Sequence, residues 1–247
     1  MNIKINKMVK PRHTYIIGDQ HGGAKAIPEV INKSDFDKEL DLLINLGDIV
    51  DGWSESFEAV EFWLEFENSC KFKPIFINGN HDYWFRDYLN RGAVNQIWYQ
   101  HGGKATIDSY IKNGGLLMQE HKSFFNNMVN YYIDDNNRAF VHAGFKNING
   151  LQYEHEKVCI LDREMFENAY NKVFISNRPN KIYDEVFIGH SSTSYYSIFE
   201  PINVENIWNI DTGAGFNGSL TIMNVDTKEY WQSSKLMDLY PNEKGRR

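Results

Sequence analysis

Five apolar runs in this chain each end in a residue that binds metal. Tyr15-Ile16-Ile17-Gly18 leads into Asp19, with His21 two positions on. Leu42-Leu43-Ile44-Asn45-Leu46-Gly47 leads into Asp48, and Ile75-Phe76-Ile77-Asn78-Gly79 into Asn80-His81. Ala139-Phe140-Val141 leads into His142, and Val186-Phe187-Ile188-Gly189 into His190. One Asp-x-His triplet arises often by chance, and a lone histidine after a strand is ordinarily a core residue. Five such endings in order point to a metal site assembled from strand ends. Carboxylate, amide oxygen and imidazole suit Mn, Fe or Zn better than Mg or Ca, which take all-oxygen shells. Without a thiolate the set is a poor structural zinc site. An Asp48 lying between two ions would bridge them at about 3.5–4 Å, the spacing that clamps the attacking and leaving oxygens of a phosphoryl transfer and turns a bridging water into hydroxide near neutral pH. His81, beside Asn80, is placed to protonate the leaving oxygen if a carboxylate orients its ring.

Elements of both kinds must deliver these residues to one place. The pattern predicts strands at about Thr14–Ile17, Asp41–Leu46 and Lys73–Asn78, alternating with helices at about Ala24–Asn32, Phe57–Phe66 and Tyr83–Asn90. Ser54 reads as the N-cap of the second helix, and Asp82 as a carboxylate complementing the dipole of the third. From 92 to 127 the strand signal stops. Lys104–Lys112 and Leu116–Phe125 have helical character and are set off by Gly102-Gly103 and Gly114-Gly115, so the stretch reads as a helical insertion beside the sheet. Strands resume at Val129–Ile133 and Ala139–Val141, a helix follows at Cys159–Tyr170, and strands at Glu185–Ile188, Ile207–Ile210, Leu220–Asn224 and Glu229–Gln232 close the chain. The class is α/β (α+β), with an early βαβ half and a later β-rich half in one domain over 1–247. Residues 1–12 and 241–247 are expected to be flexible, with Lys4, Lys7, Lys10 and Arg12 as solvated charges.

Composition narrows the partners. The 247 residues carry a formal charge of −7, which argues against a general nucleic-acid binder. Cys70 and Cys159 are too few and too far apart for a disulfide framework, and read as buried thiols. No stretch approaches a membrane span, and the first residues lack the apolar core of a signal peptide. The expected setting is the cytoplasm.

The motifs Gly18-Asp19-Gln20-His21-Gly22, Gly47-Asp48-Ile49-Val50-Asp51-Gly52, Gly79-Asn80-His81-Asp82, Val141-His142-Ala143-Gly144 and Gly189-His190 resemble those of the calcineurin-like metallophosphoesterases. The resemblance is to the phosphoprotein phosphatase branch, which includes bacteriophage-lambda-type enzymes and bacterial symmetrical dinucleoside tetraphosphatases. It implies a central β-sandwich of mixed sheets flanked by helices, with two metals at strand ends. Position by position, it implies that Asp19 and His21 hold the first ion, that Asp48 bridges, and that Asn80, His142 and His190 complete the second. His81 then matches the general acid and Asp51 the carboxylate that orients it. Arg163 matches a phosphate-binding arginine, and Asn209-Ile210-Asp211-Thr212-Gly213 a late strand end that shapes the site.

One motif departs from the pattern. An arginine usually follows the position of Asp51, and here Gly52-Trp53 stands instead. Arg86 or Lys104 would be the candidates to supply the lost charge. The leading functional expectation is a phosphomonoesterase, acting on phosphoserine or phosphothreonine proteins by attack of metal-bound hydroxide, with two divalent ions, Mn²⁺ first and Fe or Zn next. A phosphoprotein or small phosphoester is the expected partner. Hydrolysis of dinucleoside polyphosphates such as diadenosine tetraphosphate is the alternative, and a non-catalytic metal-binding scaffold is the rival from another class.

Overall fold

The computed structural model describes residues 10–115 and 118–246. The chain runs β1 (Thr14–Ile17), α1 (Ala26–Lys33), β2 (Leu42–Asn45), α2 (Ser56–Ser69), β3 (Ile75–Phe76) and α3 (Asn80–Arg91). Three helices follow, α4 (Gln96–Trp98), α5 (Lys104–Lys112) and α6 (Gln119–Asn127), with a π-helical turn at Tyr99–Gly103. Then come β4 (Tyr131–Ile133), β5 (Arg138–Val141), α7 (Glu156–Leu161), α8 (Glu164–Tyr170), β6 (Glu185–Ile188), β7 (Ile202–Val204), β8 (Ile207–Asn209), β9 (Ser219–Asn224), β10 (Tyr230–Lys235) and α9 (Leu236–Leu239). They form two five-stranded mixed sheets, ordered β10-β9-β1-β2-β3 and β4-β5-β6-β8-β7. The parallel strands β1, β2 and β3 lie side by side in one sheet, and the parallel strands β5, β6 and β8 in the other.

Side-chain alternation explains why these strands are apolar on both faces. In β1, Ile16 packs between the sheets with Ile44, Phe140, Phe187 and Met223, whereas Tyr15 and Ile17 face outward under α1 and α2. In β5 and β6, Phe140 and Phe187 stack between the sheets at 5.1 Å, and Ala139, Val141, Val186 and Ile188 face α7 and α8. The result is a β-sandwich with helices on both outer faces. The carboxyl ends of its parallel strands are where the metal-type residues sit, the usual place for a ligand in such sheets.

Several boundaries differ from the sequence pattern for physical reasons. Ser54 does not cap α2: its N–H and hydroxyl are taken by Glu243, at 3.0 and 2.7 Å. The orphan N–H of Phe57 is satisfied from α5 instead, by Ser109 Oγ at 3.1 Å. The helix expected over Cys159–Tyr170 is two helices, because Asp162 accepts from Met165 N and so starts a new one. Among the described residues the stretch 92–127 contains helices and no strand. Leu116 and Leu117, the start of its second expected helix, lie outside the described residues, as do Lys4 and Lys7. Arg12 is exposed, as expected, but it is also anchored. Its guanidinium grips the fully buried Asp41 through two bonds, at 2.9 and 2.7 Å. Residues 241–246, expected to be flexible, turn back over the strand ends: Glu243 holds Ser54, and Arg246 N donates to Gly215 O at 2.8 Å. Among the described residues no helix is long and apolar enough to cross a membrane.

Candidate active site

The turns after β1, β2, β3, β5 and β6 bring Asp19, His21, Asp48, Asn80, His81, His142 and His190 into one buried cluster. His21, Asp48 and His81 each offer a ligand atom within 4.8 Å of the others, and so do Asp48, His142 and His190. Asp48 is common to both groups. Its Oδ1 accepts from His81 N at 2.9 Å, which leaves Oδ2 facing His21 Nε2 at 3.7 Å and His142 Nε2 at 3.4 Å. Asp19 Oδ2 lies 3.8 Å from His21 Nε2, and Asn80 Oδ1 lies 3.3 Å from His142 Nε2. Four cluster residues hold positive φ: His21, Asp48, Asp51 and His190, at 50°, 52°, 74° and 63°. Non-glycine residues pay about 1–2 kcal/mol for that region, so the turns are locally unfavourable and held by the surrounding fold. Asp82 is one such support. Its carboxylate accepts from the backbone N–H of Asp48, Ile49 and Gly79, at 2.6, 2.9 and 3.1 Å, which pins the turn that carries Asp48.

The donor set fits divalent metal. His142 Nδ1 donates to Leu46 O at 2.7 Å and His21 Nδ1 to Val50 O at 3.3 Å, so each ring turns Nε2 toward the cluster. Burial works to raise Asp48, but the surrounding imidazoles of His142, His81 and His21 outweigh it and hold this carboxyl well below the usual range. Burial opposes charge on His142 too, yet Asp48 beside it lifts its pKa to about 9. His21 is lowered to about 3 by burial and by the nearby Arg246 cation. Burial and the negative charge of Asp211 push Asp19 well upward. A divalent cation would stabilise the ligating forms of Asp19 as a carboxylate and His142 as a neutral imidazole, with release of their bound protons, while Asp48 and His21 already favour theirs.

His81 stands apart from this pattern. Its Nδ1 donates to Asp51 Oδ2 at 2.7 Å, while its Nε2 is buried with no partner among the described residues. Asp51 is itself fixed from the helical insertion. Trp98 Nε1 donates to Oδ2 at 2.5 Å and the Thr106 hydroxyl to Oδ1 at 2.6 Å. Burial pushes Asp51 well upward, and those two donors counter it. Trp98 is a site residue that the sequence pattern did not single out, whereas Thr106 lies in the Gly102-Gly103-Lys104-Ala105-Thr106-Ile107-Asp108-Ser109-Tyr110 stretch that resembles a segment of the bacterial members of the family. Thr106→Val keeps the shape and strands one carboxylate oxygen, at roughly 1–3 kcal/mol. A kcat about tenfold lower at unchanged metal content is expected from rate and metal assays. An unaltered kcat would make Thr106 a packing residue.

The two cations expected to replace the missing arginine do not reach the cluster. Arg86 pairs with Glu156 at 2.8 Å, and Lys104 pairs with Asp108 on the exposed side of α5. Arg163, at the break between α7 and α8, does reach it: Nη1 donates to His190 O and to Ser191 Oγ, both at 3.1 Å. Asn209 Nδ2 donates to Ser191 O at 2.6 Å, and its Oδ1 accepts from Asp211 N at 3.1 Å, so that strand end buttresses the His190 turn. Arg246 Nη1 lies 2.9 Å from His21 Nε2. No local signal in the sequence marked it, since 225 positions separate the two residues.

Comparison with known proteins agrees with this geometry. The family profile described as calcineurin-like phosphoesterase matches residues 13–213. A symmetrical bis(5'-nucleosyl)-tetraphosphatase of Coxiella burnetii is 32% identical over 174 residues, which is 69% of this chain and 56% of that protein. The chain thus spans somewhat over half the length of that relative. Serine/threonine-protein phosphatase 1 of Salmonella typhimurium is 20% identical over 220 residues, 87% of this chain and 92% of its own. A cold-active protein-tyrosine phosphatase from a Shewanella species shares the fold, with a TM-score of 0.57 at 13% identity over 91% of this chain and 81% of that one. With most of its length matched and a buried Asp, Asn and His cluster at the strand ends, the chain belongs to the calcineurin-like phosphoesterase family.

Proposed function

We propose that this metal-dependent phosphoesterase hydrolyses dinucleoside polyphosphates of the diadenosine tetraphosphate type. The observation that carries the reading is the 32% identity to a symmetrical tetraphosphatase, against 20% to the serine/threonine phosphatase. It replaces the phosphoprotein as the first expectation for substrate. Asp19 and His21 would hold one divalent ion, Asn80, His142 and His190 the other, and Asp48 would be shared, with Mn²⁺ the leading ion. When bound, the pair supplies Lewis-acid polarisation of a phosphoryl oxygen and lowers the pKa of water toward neutrality.

The chain's own residues do the rest. Arg163 grips phosphate oxygens from the His190 side, where its fork is already aimed by two hydrogen bonds. With Nδ1–H donated to Asp51, His81 gives a proton from Nε2 to the leaving oxygen as the imidazolium, the charged form that the Asp51 carboxylate, fixed by Trp98 and Thr106, stabilises. The second reading, a protein phosphatase, is favoured by the Salmonella relative, which matches over 92% of its own length. Turnover of diadenosine tetraphosphate, a phosphothreonine peptide and an aryl phosphate by Mn²⁺-loaded protein separates the two. A kcat/KM at least about tenfold higher on the tetraphosphate, with ADP as product, is expected; preference for the peptide would install the second reading.

A further inference from the structure

Residues 241–246 are clamped over the cluster at several points. Tyr240, just before them, stacks on Trp53 at 5.2 Å, Glu243 holds Ser54, and Arg246 N donates to Gly215 O. Gly52 makes this passage possible. A Cβ there would stand 2.9 Å from Arg246 Cγ, and its φ of +131° excludes ordinary side chains. The stem of Arg246 therefore fills the volume that a side chain after Asp51 would take. Its guanidinium carbon lies 5.2 Å over the Phe216 ring, Nη1 meets His21 Nε2, and Nε is buried with no hydrogen-bond partner among the described residues. A buried guanidinium N–H without an acceptor is costly, which marks a donor awaiting one. The acceptor facing Nη1 is a ring nitrogen from the proposed ligand set, so a bound ion would free that donor as well. On a planar guanidinium Nε–H shares an edge with Nη2, and Nη1 with the other Nη2 N–H, so a phosphate oxygen at Nε can be part of a bidentate contact.

We propose that Arg246, carried on this returning segment, is a substrate-binding residue that grips a phosphate on the Asp19/His21 side of the site, opposite Arg163. The two guanidinium groups then flank the cluster, one beside His21 and one beside His190, and together hold neighbouring phosphates of one chain. This rests on the polyphosphate reading for the substrate, while the phosphate contact itself does not.

The test uses Mn²⁺-loaded protein with tripolyphosphate and orthophosphate as probes in titration calorimetry, beside KM and kcat on diadenosine tetraphosphate. Arg246→Ala is expected to weaken tripolyphosphate by about tenfold or more, the loss of a bidentate charged contact, and to raise KM more than it lowers kcat. Orthophosphate should change less than about threefold, and metal content should stay at the wild-type value. Arg246→Lys, which keeps the charge without the fork, should fall between. Glu243→Ala, which loosens the segment outside the site, should shift KM in the same direction. Unchanged tripolyphosphate binding in Arg246→Ala would overturn the proposal, and so would loss of metal with both probes weakened equally, since Arg246 would then only buttress His21. If wild-type protein ignores the tetraphosphate yet Arg246→Ala still weakens tripolyphosphate, the substrate reading fails and the role of Arg246 stands.

Discussion

His81→Asn is expected to lower kcat on an aryl phosphate with a poor leaving group by about a thousandfold, within the usual range for losing a general acid. The unpartnered Nε2 is the only atom of the ring that faces the cluster, since Nδ1 is committed to Asp51. Protonation matters most when the departing oxygen is basic, so the loss should shrink steadily as the leaving group becomes more acidic. Rates across a graded aryl phosphate series, with metal content measured on each sample, check this. The alternative is concrete, because His81 also lies in a ligand-sized group with His21 and Asp48. A uniform loss across the series together with lost metal would make His81 a ligand rather than an acid.

Asp48→Asn should have the second large effect, and on metal first. The amide is nearly isosteric, and asparagine tolerates the φ of 52° at this position, so the turn survives. What disappears is the one negative oxygen that faces both His21 and His142. Supporting residues around metal sites cost 10–100-fold in affinity when removed, so loss of a shared ligand should exceed about a hundredfold. Metal analysis after dialysis against a weak chelator should find fewer than two ions, with activity down at least as far. Full metal content with normal turnover would remove Asp48 from the centre.

The positions of Asp19, His21, Asp48, Asn80, His142 and His190 were legible because each follows a strand directly, and a strand end is a local feature. The helices on both outer faces of the sandwich were expected from the family resemblance, not from the apolar runs themselves. What escaped was decided by distant partners. Asp82 is the helix-start carboxylate that the sequence suggests, bonded to the N-cap N–H of Gly79, but it also accepts two N–H groups of the distant Asp48 turn. Trp98 precedes the stretches with a helical pattern, and nothing local says that its indole closes on Asp51. The charged run 241–246 reads as a loose end because its anchors, Ser54 and Gly215, lie elsewhere in the chain. The gap after Asp51 was visible in sequence, but the residue that occupies that volume was not.

These elements share one logic. In the proposed reading the two sheets would deliver ligands from opposite sides, the insertion would fix the proton donor through Asp51, and the returning segment would supply a phosphate contact. Asp48, common to both ligand-sized groups, would in that reading be the residue that two ions share. Electron paramagnetic resonance of protein titrated with Mn²⁺ tests that point most directly. The account predicts saturation at two ions per chain with the spectrum of an exchange-coupled pair, collapsing to isolated Mn²⁺ in Asp48→Asn. Saturation at one ion, or two ions with uncoupled signals in the wild-type protein, would contradict it.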